Sequence, residues 1–122
     1  MDLLLVDDSK TMRLLMRRAV RQAGYRGLLV CEAENGAVAL EKVKLEKPRL
    51  IISDWLMPEL SGIEFLQKLR DLGDRTPLGF ITSQASRRFE DLALNHGASF
   101  MIGKPFNVDE VQAALDPILG GS

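Results

Sequence analysis

The sequence is poor in cysteine and has no long apolar run, and both features exclude classes of protein. The single cysteine, Cys31, cannot form an internal disulfide or a cysteine metal cluster. The apolar runs are far shorter than the roughly 20 residues that a membrane-spanning helix needs. The N-terminus is unlike a secretory signal, because the four apolar residues Leu3–Val6 are followed at once by Asp7 and Asp8. We therefore expect a soluble cytoplasmic domain that does not associate with membranes.

Neither sign of charge dominates the chain. The formal net charge is −1 over 122 residues, so no basic field indicates direct binding of nucleic acid. The length is that of one ordinary domain, and an apolar content of 46% is sufficient for a single core. We expect one domain spanning residues 1–122.

Strand-like and helix-like patterns alternate five times along the chain. The predicted strands are Leu3–Val6, Leu28–Glu32, Leu50–Ser53, Leu78–Thr82 and Ser99–Ile102. Most are continuous apolar runs, as expected for parallel strands covered by helices on both faces. Five βα units with right-handed crossovers predict an α/β, doubly wound, three-layer sandwich around a five-stranded parallel sheet. The pattern alone leaves the strand order open, the flavodoxin-like order 2-1-3-4-5 being one of two common choices.

Several residues mark the ends of the predicted helices. Gly24 follows the apolar stripe of the first helix and predicts its end. Ser61 with Glu64, and Asn107 with Glu110, have the spacing of capping boxes at the starts of the third and fifth helices.

Reactive polar residues fall at or just after the ends of four predicted strands. They are the pair Asp7-Asp8, then Asp54, Thr82 and Lys104. In an open parallel sheet, ligands bind in the crevice beyond the carboxyl ends of the strands. We therefore expect these residues to meet at one edge and to form a site for a divalent cation and a phosphoryl group.

The acidic residues predict the cation. Three like charges from Asp7, Asp8 and Asp54 would be costly together unless a cation neutralises them. Oxygen ligands with room for water suit Mg²⁺, and the backbone carbonyl of Leu56 is a candidate further ligand. The alternative for the Asp-Asp pair is a solvated turn that caps the first helix.

Asp54 and its neighbours predict the phosphoryl chemistry. The helix after Asp54 has its own cap at Ser61, which leaves this carboxylate available as a nucleophile that forms an aspartyl phosphate. Lys104 can pair with Asp54 and then with a phosphoryl oxygen, although a single lysine is more often merely exposed. Thr82 and the backbone N–H of Ser83 are candidate donors to the same group, although a strand threonine is usually structural.

Jointly, these residues resemble the response-regulator receiver family of two-component signalling. The matching stretches are LLLVDDS, LIISDWLMPELSG, PLGFITS and GASFMIGKPF, and the resemblance covers essentially the full chain. It implies a flavodoxin-like sheet of order 2-1-3-4-5 and phosphorylation of Asp54 by a sensor histidine kinase or a phosphotransfer protein. It also implies that Asp8 and Asp54 ligate Mg²⁺ directly, and Asp7 mainly through water.

The resemblance further implies what the protein does with the phosphoryl group. Thr82 and Lys104 would contact it and transmit its presence to the surface formed by helix 4, strand 5 and helix 5. The chain would not be an enzyme in the ordinary sense, but would assist its own phosphorylation and dephosphorylation. Its output would pass to an effector protein or to a domain outside this chain. The N-terminal segment 8–13 is similar to chemotaxis-type single-domain receivers.

The chain departs from the receiver pattern at one position. Receivers usually carry Tyr or Phe three residues before the lysine, where this chain has Met101. Phe100 is one place earlier, so strand alternation predicts that it points to the opposite face. Leu56 and Gln84 should flank the phosphoryl group, and we hypothesise that Leu56 shields the acyl phosphate from water.

Three other functions are alternatives to the switch. A phosphorylation-independent docking module stays open, because Met101 removes the usual aromatic residue of the output step. A phosphatase with an aspartyl phosphate would need a second acid at position 56, which is Leu. A flavin carrier is disfavoured, since Asp7 and Asp8 would repel the flavin phosphate.

Overall fold

Strands and helices alternate strictly in the computed structural model, which describes residues 1–83 and 85–120. The strands are Leu3–Val6 (β1), Val30–Ala33 (β2), Leu50–Ser53 (β3), Leu78–Thr82 (β4) and Phe100–Gly103 (β5). The helices are Lys10–Gln22 (α1), Gly36–Glu46 (α2), Gly62–Asp71 (α3), Arg87–Asn95 (α4) and Val108–Leu119 (α5). Within the described ranges, none of the helices has the length and apolar character needed to cross a bilayer.

The strands form one parallel sheet in the order β2-β1-β3-β4-β5. This is the flavodoxin-like order, so the predicted α/β, doubly wound, three-layer sandwich is confirmed. The order reverses between β1 and β3, which places the ends of these two strands at the topological switch point.

Each face of the sheet has its own apolar core. Leu3 and Leu5 of β1 pack with α1 and α5 on one face, while Leu4 and Val6 pack with α2 and α3 on the other. Successive side chains of a strand point to opposite faces, so a strand covered on both sides must be apolar at every position. The continuous apolar runs of the sequence have this cause.

Two strands lie slightly further along the chain than the sequence predicts. β2 starts at Val30, because this residue pairs with Leu3 at the beginning of β1. β5 extends to Gly103, because Gly103 pairs with Thr82 at the end of β4. Pairing with the neighbouring strand therefore fixes these boundaries, rather than the local apolar pattern.

The predicted helix boundaries are confirmed by the caps. Both capping boxes are formed, by Ser61 with Glu64 at α3 and by Asn107 with Glu110 at α5. Gly24 follows the end of α1 with a φ of 106°, a left-handed conformation that favours glycine. Each helix consequently begins near the carboxyl edge of the sheet, where the polar strand-end residues lie, and returns the chain to the opposite edge.

Candidate functional site

The ends of β1 and β3 bring two carboxylates side by side. Val6 pairs with Ser53, so the residues that follow them, Asp7 and Asp54, leave the sheet next to each other. The backbone N–H of Asp54 still donates to the carbonyl of Val6 at 2.9 Å, and that of Asp7 donates to Ala33 at 3.1 Å. The sheet ladder therefore continues one residue past each strand and holds both backbones in place.

Three carboxylates converge at this edge. One oxygen from each of Asp7, Asp8 and Asp54 lies within 4.8 Å of the other two. Asp7 and Asp54 are buried, whereas Asp8 is exposed. The cluster thus has two inner carboxylates and one that faces solvent, with oxygen ligands close enough together to hold one cation.

Burial makes ionisation of Asp7 less favourable than in the unfolded chain. It raises the pKa of the Asp7 carboxyl above its ordinary value, and the charge of Asp54 acts in the same direction. The N–H of Ser9, 2.9 Å from Asp7 Oδ1, and the ammonium of Lys104 act against the increase without overcoming it. The folded protein therefore binds a proton at Asp7 more tightly than the unfolded chain, and a bound cation would relieve the same cost.

Lys104 supplies a positive charge to both inner carboxylates. Its Nζ lies 3.2 Å from Oδ2 of Asp54 and 3.3 Å from Oδ2 of Asp7. The side chain is only 16% exposed, so this lysine is directed inward and is not an ordinary surface residue. We use the name acid centre for Asp7, Asp8, Asp54 and Lys104.

Thr82 lies at the same edge. It is fully buried at the end of β4, and its carbonyl accepts the backbone N–H of Lys104 at 2.9 Å. Ser83 follows it directly in an exposed turn. One hydrogen bond thus joins the backbones of Thr82 and Lys104.

The backbone around Asp54 is tightly held. The N–H of Trp55 donates to Oδ1 of Asp54 at 2.7 Å, and the hydroxyl of Ser53 donates to the Asp54 carbonyl at 2.9 Å. A Cβ atom on Gly62 would lie 2.5 Å from that carbonyl oxygen. Glycine is required at position 62 because the start of α3 packs directly on the backbone of Asp54.

Leu56 and Gln84 are the residues predicted to flank the phosphoryl group, and the structure describes only the first. Leu56 is 53% exposed in the loop after β3. Gln84 lies outside the described residues. The carbonyl ligand predicted at Leu56 stays a prediction.

The residue that follows Asp54 belongs to a cluster of aromatic rings. The ring of Trp55 contacts Phe80 of β4 at 5.1 Å and Phe89 of α4 at 5.4 Å between centroids. Trp55 is only 6% exposed, so it packs in the core. We use the name aromatic cluster for Trp55, Phe80 and Phe89.

Met101 and Phe100 face opposite sides of the sheet, as strand alternation predicts. Met101 packs with the core that contains the aromatic cluster. Phe100 packs on the α1 and α5 face, where its ring covers Gly79 of the neighbouring strand. Phe100 therefore cannot take the place of the aromatic residue that receivers usually carry at position 101.

The sequence reasoning missed a salt bridge that contacts the acid centre. Arg13 of α1 and Glu32 of β2 lie 2.7 Å apart, and Nη1 of Arg13 donates to the backbone carbonyl of Asp7. The sequence does contain a signal for this salt bridge. Glu32 is an acidic residue at the end of an otherwise apolar predicted strand, and Arg13 and Arg17 lie one helical turn apart on the preceding helix.

Comparisons with known proteins find similar sequences and structures over nearly the whole chain. The family model of the response regulator receiver domain matches residues 3–116. The chain is 34% identical over 123 residues to chemotaxis protein CheY1 of Helicobacter pylori, covering 98% of each chain. It is 32% identical over 117 residues to chemotaxis protein CheY of Bacillus subtilis, covering 96% of each. The solved structure of chemotaxis protein CheY4 from Vibrio cholerae superposes with a TM-score of 0.83 at 31% identity, over 97% of this chain and 98% of that one.

Proposed function

The chain belongs to the response regulator receiver family, and from this premise we propose that it is a signalling switch phosphorylated on Asp54. The donor is the phosphohistidine of a sensor histidine kinase or of a phosphotransfer protein. The recipient of the signal is an effector protein or an output domain outside this chain.

One observation carries the proposal. Three carboxylate oxygens lie within 4.8 Å of one another, and the ammonium of Lys104 lies within 3.3 Å of two of the carboxylates. The arrangement combines a nucleophile, a cation site and a fixed positive charge. These are the parts that phosphoryl transfer requires, since it depends on positioning and charge stabilisation.

The residues present fit Mg²⁺. The ligands would be Asp8 and Asp54 directly, Asp7 mainly through water, and the backbone carbonyl of Leu56. Hard oxygen donors with open positions for water are what this ion prefers, and the buried charge of Asp7 needs compensation. When bound, Mg²⁺ would offset the negative charge that develops on the transferring phosphoryl group.

Asp54 carries out the transfer itself. A carboxylate oxygen of Asp54 attacks the phosphorus, a new O–P bond forms, and the N–P bond to the donor imidazole breaks. Trp55 holds the other carboxylate oxygen through its N–H at 2.7 Å, so one oxygen is kept in place while the other reacts. Lys104 then exchanges its contact with Asp54 for a contact with a phosphoryl oxygen.

The switch returns to its starting state by hydrolysis. Water attacks the phosphorus, the O–P bond to Asp54 breaks, and inorganic phosphate leaves. The chain in this way assists both its phosphorylation and its dephosphorylation.

The signal leaves the site through Thr82 and Lys104. The Thr82 hydroxyl and the Ser83 N–H donate to the phosphoryl group, which draws the end of β4 towards Asp54. Because the Lys104 N–H is bonded to the Thr82 carbonyl, β5 follows this movement. The surface of α4, β5 and α5 consequently changes.

The phosphoacceptor can be tested with a small donor. Protein incubated with Mg²⁺ and acetyl phosphate should gain one acid-stable, base-labile phosphoryl group by intact mass spectrometry, and Asp54→Asn should gain none. The matched control is Asp71→Asn, an exposed carboxylate at the far end of α3, which should be labelled like the wild type. Full labelling of Asp54→Asn would contradict the assignment.

A second measurement separates the switch from a docking module that ignores phosphorylation. Beryllofluoride with Mg²⁺ should shift backbone NMR resonances of α4, β5 and α5 in the wild type, and not in Asp54→Asn. If the wild type is labelled at Asp54 but these resonances do not move, the docking module is the better description.

A further inference from the structure

Arg13 connects α1, β2 and the acid centre. We propose that it is a positioning residue for the cation site, because it fixes the peptide unit that joins Asp7 to Asp8. This inference rests on the proposed function, since it assigns to the cation site a support outside its ligands.

The contacts of Arg13 are directed at two points. Its Nη1 donates to the backbone carbonyl of Asp7 at 2.5 Å, and its Nε donates to Oε1 of Glu32 at 2.7 Å. The Arg13 side chain is only 14% exposed. A guanidinium held at both ends and shielded from water has little freedom to move, so it can transmit the position of β2 to Asp7.

The carbonyl that Arg13 holds belongs to the peptide bond between the two acids. A peptide unit is planar, so fixing its oxygen limits rotation on both sides, at the Cα of Asp7 and at the Cα of Asp8. The Asp7 side chain is fixed separately, since its Oδ1 accepts the N–H of Ser9 at 2.9 Å. Asp8 is exposed, so neighbouring atoms do not restrain its side chain as they restrain that of Asp7. The orientation of this peptide therefore sets the direction in which the Asp8 side chain leaves the backbone.

Glu32 is a firm anchor for Arg13. Its second carboxylate oxygen accepts Nε of Arg17 at 2.7 Å, and its backbone carbonyl accepts the ammonium of Lys42. Burial opposes ionisation of Glu32, but the hydrogen bonds from Arg13 and Arg17 outweigh it and lower its pKa. The neighbouring Ala33 accepts the N–H of Asp7, so β2 supports both Asp7 and the residue that holds it.

Positioning and simple charge predict opposite results when Arg13 is removed. The guanidinium repels a divalent cation, so its loss would strengthen Mg²⁺ binding if charge were its only effect. Loss of an outer hydrogen bond that orients the ligands weakens metal binding, typically by tenfold or more. The direction of the change therefore decides between them.

Arg17 is the matched control. It lies on the same helix, carries the same charge and bonds Glu32 at the same 2.7 Å distance. Its Nη2 also donates to the carbonyl of Val30 at 3.3 Å, and Val30 lies at the opposite end of β2 from Ala33, the residue that supports Asp7.

The experiment titrates Mg²⁺ into wild type, Arg13→Gln and Arg17→Gln by isothermal titration calorimetry. We expect about tenfold weaker binding for Arg13→Gln and a much smaller change for Arg17→Gln, because Glu32 keeps its contacts with Arg13 and Lys42 in that variant. Unchanged or tighter binding by Arg13→Gln would overturn the inference. If the wild type itself binds no Mg²⁺, the proposed function fails instead, so the two failures are distinguishable.

A metal-free measurement separates positioning from general loss of stability. Amide hydrogen exchange at Ser9 should accelerate in Arg13→Gln but not in Arg17→Gln, while urea unfolding shows whether the two variants are equally stable. Glu32→Gln serves as a second variant if Arg13→Gln does not fold, and it should weaken Mg²⁺ binding in the same direction. Unchanged Ser9 exchange and Mg²⁺ affinity in the variant that folds would contradict the proposal.

Discussion

Asp54 has a polar side and an apolar side, and the two are held by different forces. On the polar side, the acid centre is joined by hydrogen bonds and ion pairs whose distances lie between 2.7 and 3.3 Å. On the apolar side, the aromatic cluster meets at ring-centroid distances of 5.1 and 5.4 Å. Directional bonds demand particular atoms, whereas packing demands a particular volume.

The difference shows where this chain tolerates a departure from its family. Uncharged side chains at these positions would remove the charge of the carboxylates or the ammonium, and Glu or Arg would keep the charge but move it. At Met101 the usual aromatic residue is replaced by a flexible apolar one, and the space is still occupied. We therefore expect substitutions on the polar side to change chemistry, and substitutions on the apolar side to change stability and output.

The largest effect is expected from crowding the apolar side. In Gly62→Ala the new methyl group would lie 2.6 Å from the Phe80 ring and 3.0 Å from the Trp55 Cα, besides its contact with the Asp54 carbonyl. The free energy of unfolding should fall by about 3 kcal/mol in urea titrations. Gly27→Ala is the control, since nothing lies within 4 Å of its new Cβ, and an equal loss there would contradict this explanation.

On the polar side, Lys104→Met should have the next largest effect. Removing the ammonium leaves Asp7 and Asp54 without their shared partner, which should cost about 2 kcal/mol of stability without metal, less than for a fully buried pair. Mg²⁺ should bind roughly tenfold more tightly, because a competing positive charge is gone. Calorimetry checks the affinity, with the exposed Lys68→Met as control. Weaker Mg²⁺ binding would show that the lysine does not compete with the cation.

Leu56→Asn tests the boundary between the two sides. If the leucine shields the acyl phosphate, the variant should lose its phosphoryl group about tenfold faster, which corresponds to ~1.4 kcal/mol in the barrier. Mass spectrometry over time gives the rate, and Leu72→Asn, another exposed leucine, should leave it unchanged. A phosphoryl lifetime no shorter than that of the wild type would end the shielding hypothesis.

Met101→Ala tests whether the methionine transmits a change at Asp54 to α4. It should lower stability by about 1 kcal/mol, since the side chain is only half-buried. It should also reduce the beryllofluoride-induced NMR shifts in α4 while labelling of Asp54 continues. Full-size shifts in this variant would mean that the signal does not pass through position 101.

The smallest effect concerns the pH dependence of the metal-free protein. Because the pKa of Asp7 is higher in the folded state, stability falls as the pH rises from the ordinary aspartate pKa through the raised value. Asp7→Asn should remove this part of the pH profile of thermal unfolding. A variant whose profile matches that of the wild type would show that another group titrates.

The architecture and the convergence of the strand-end residues were predictable because both follow from local pattern. Apolar runs such as Leu50–Ser53 identify buried strands, and the parallel topology then brings their carboxyl ends together. The strand order came from the resemblance, since no local signal fixes it. The boundaries of β2 and β5 were missed because pairing with β1 and β4 determines them.

The support around the site was harder to predict than its members. The salt bridge between Arg13 and Glu32 joins residues 19 positions apart, and the sequence gives no distance between a helix and an edge strand. The burial of Trp55 was equally open, because a loop tryptophan can pack inward or face a partner. These features depend on how elements pack, which periodicity does not specify.

The position of Trp55 also gives the protein a built-in optical probe. It is the only tryptophan in the chain, its backbone N–H donates a hydrogen bond to the Asp54 carboxylate, and its ring contacts Phe89 of α4. Its fluorescence should therefore respond both to changes at the Asp54 carboxylate and to movement of α4. We expect the single emission band of unlabelled protein to change when a cation is added, when a phosphoryl donor is added, and when α4 moves.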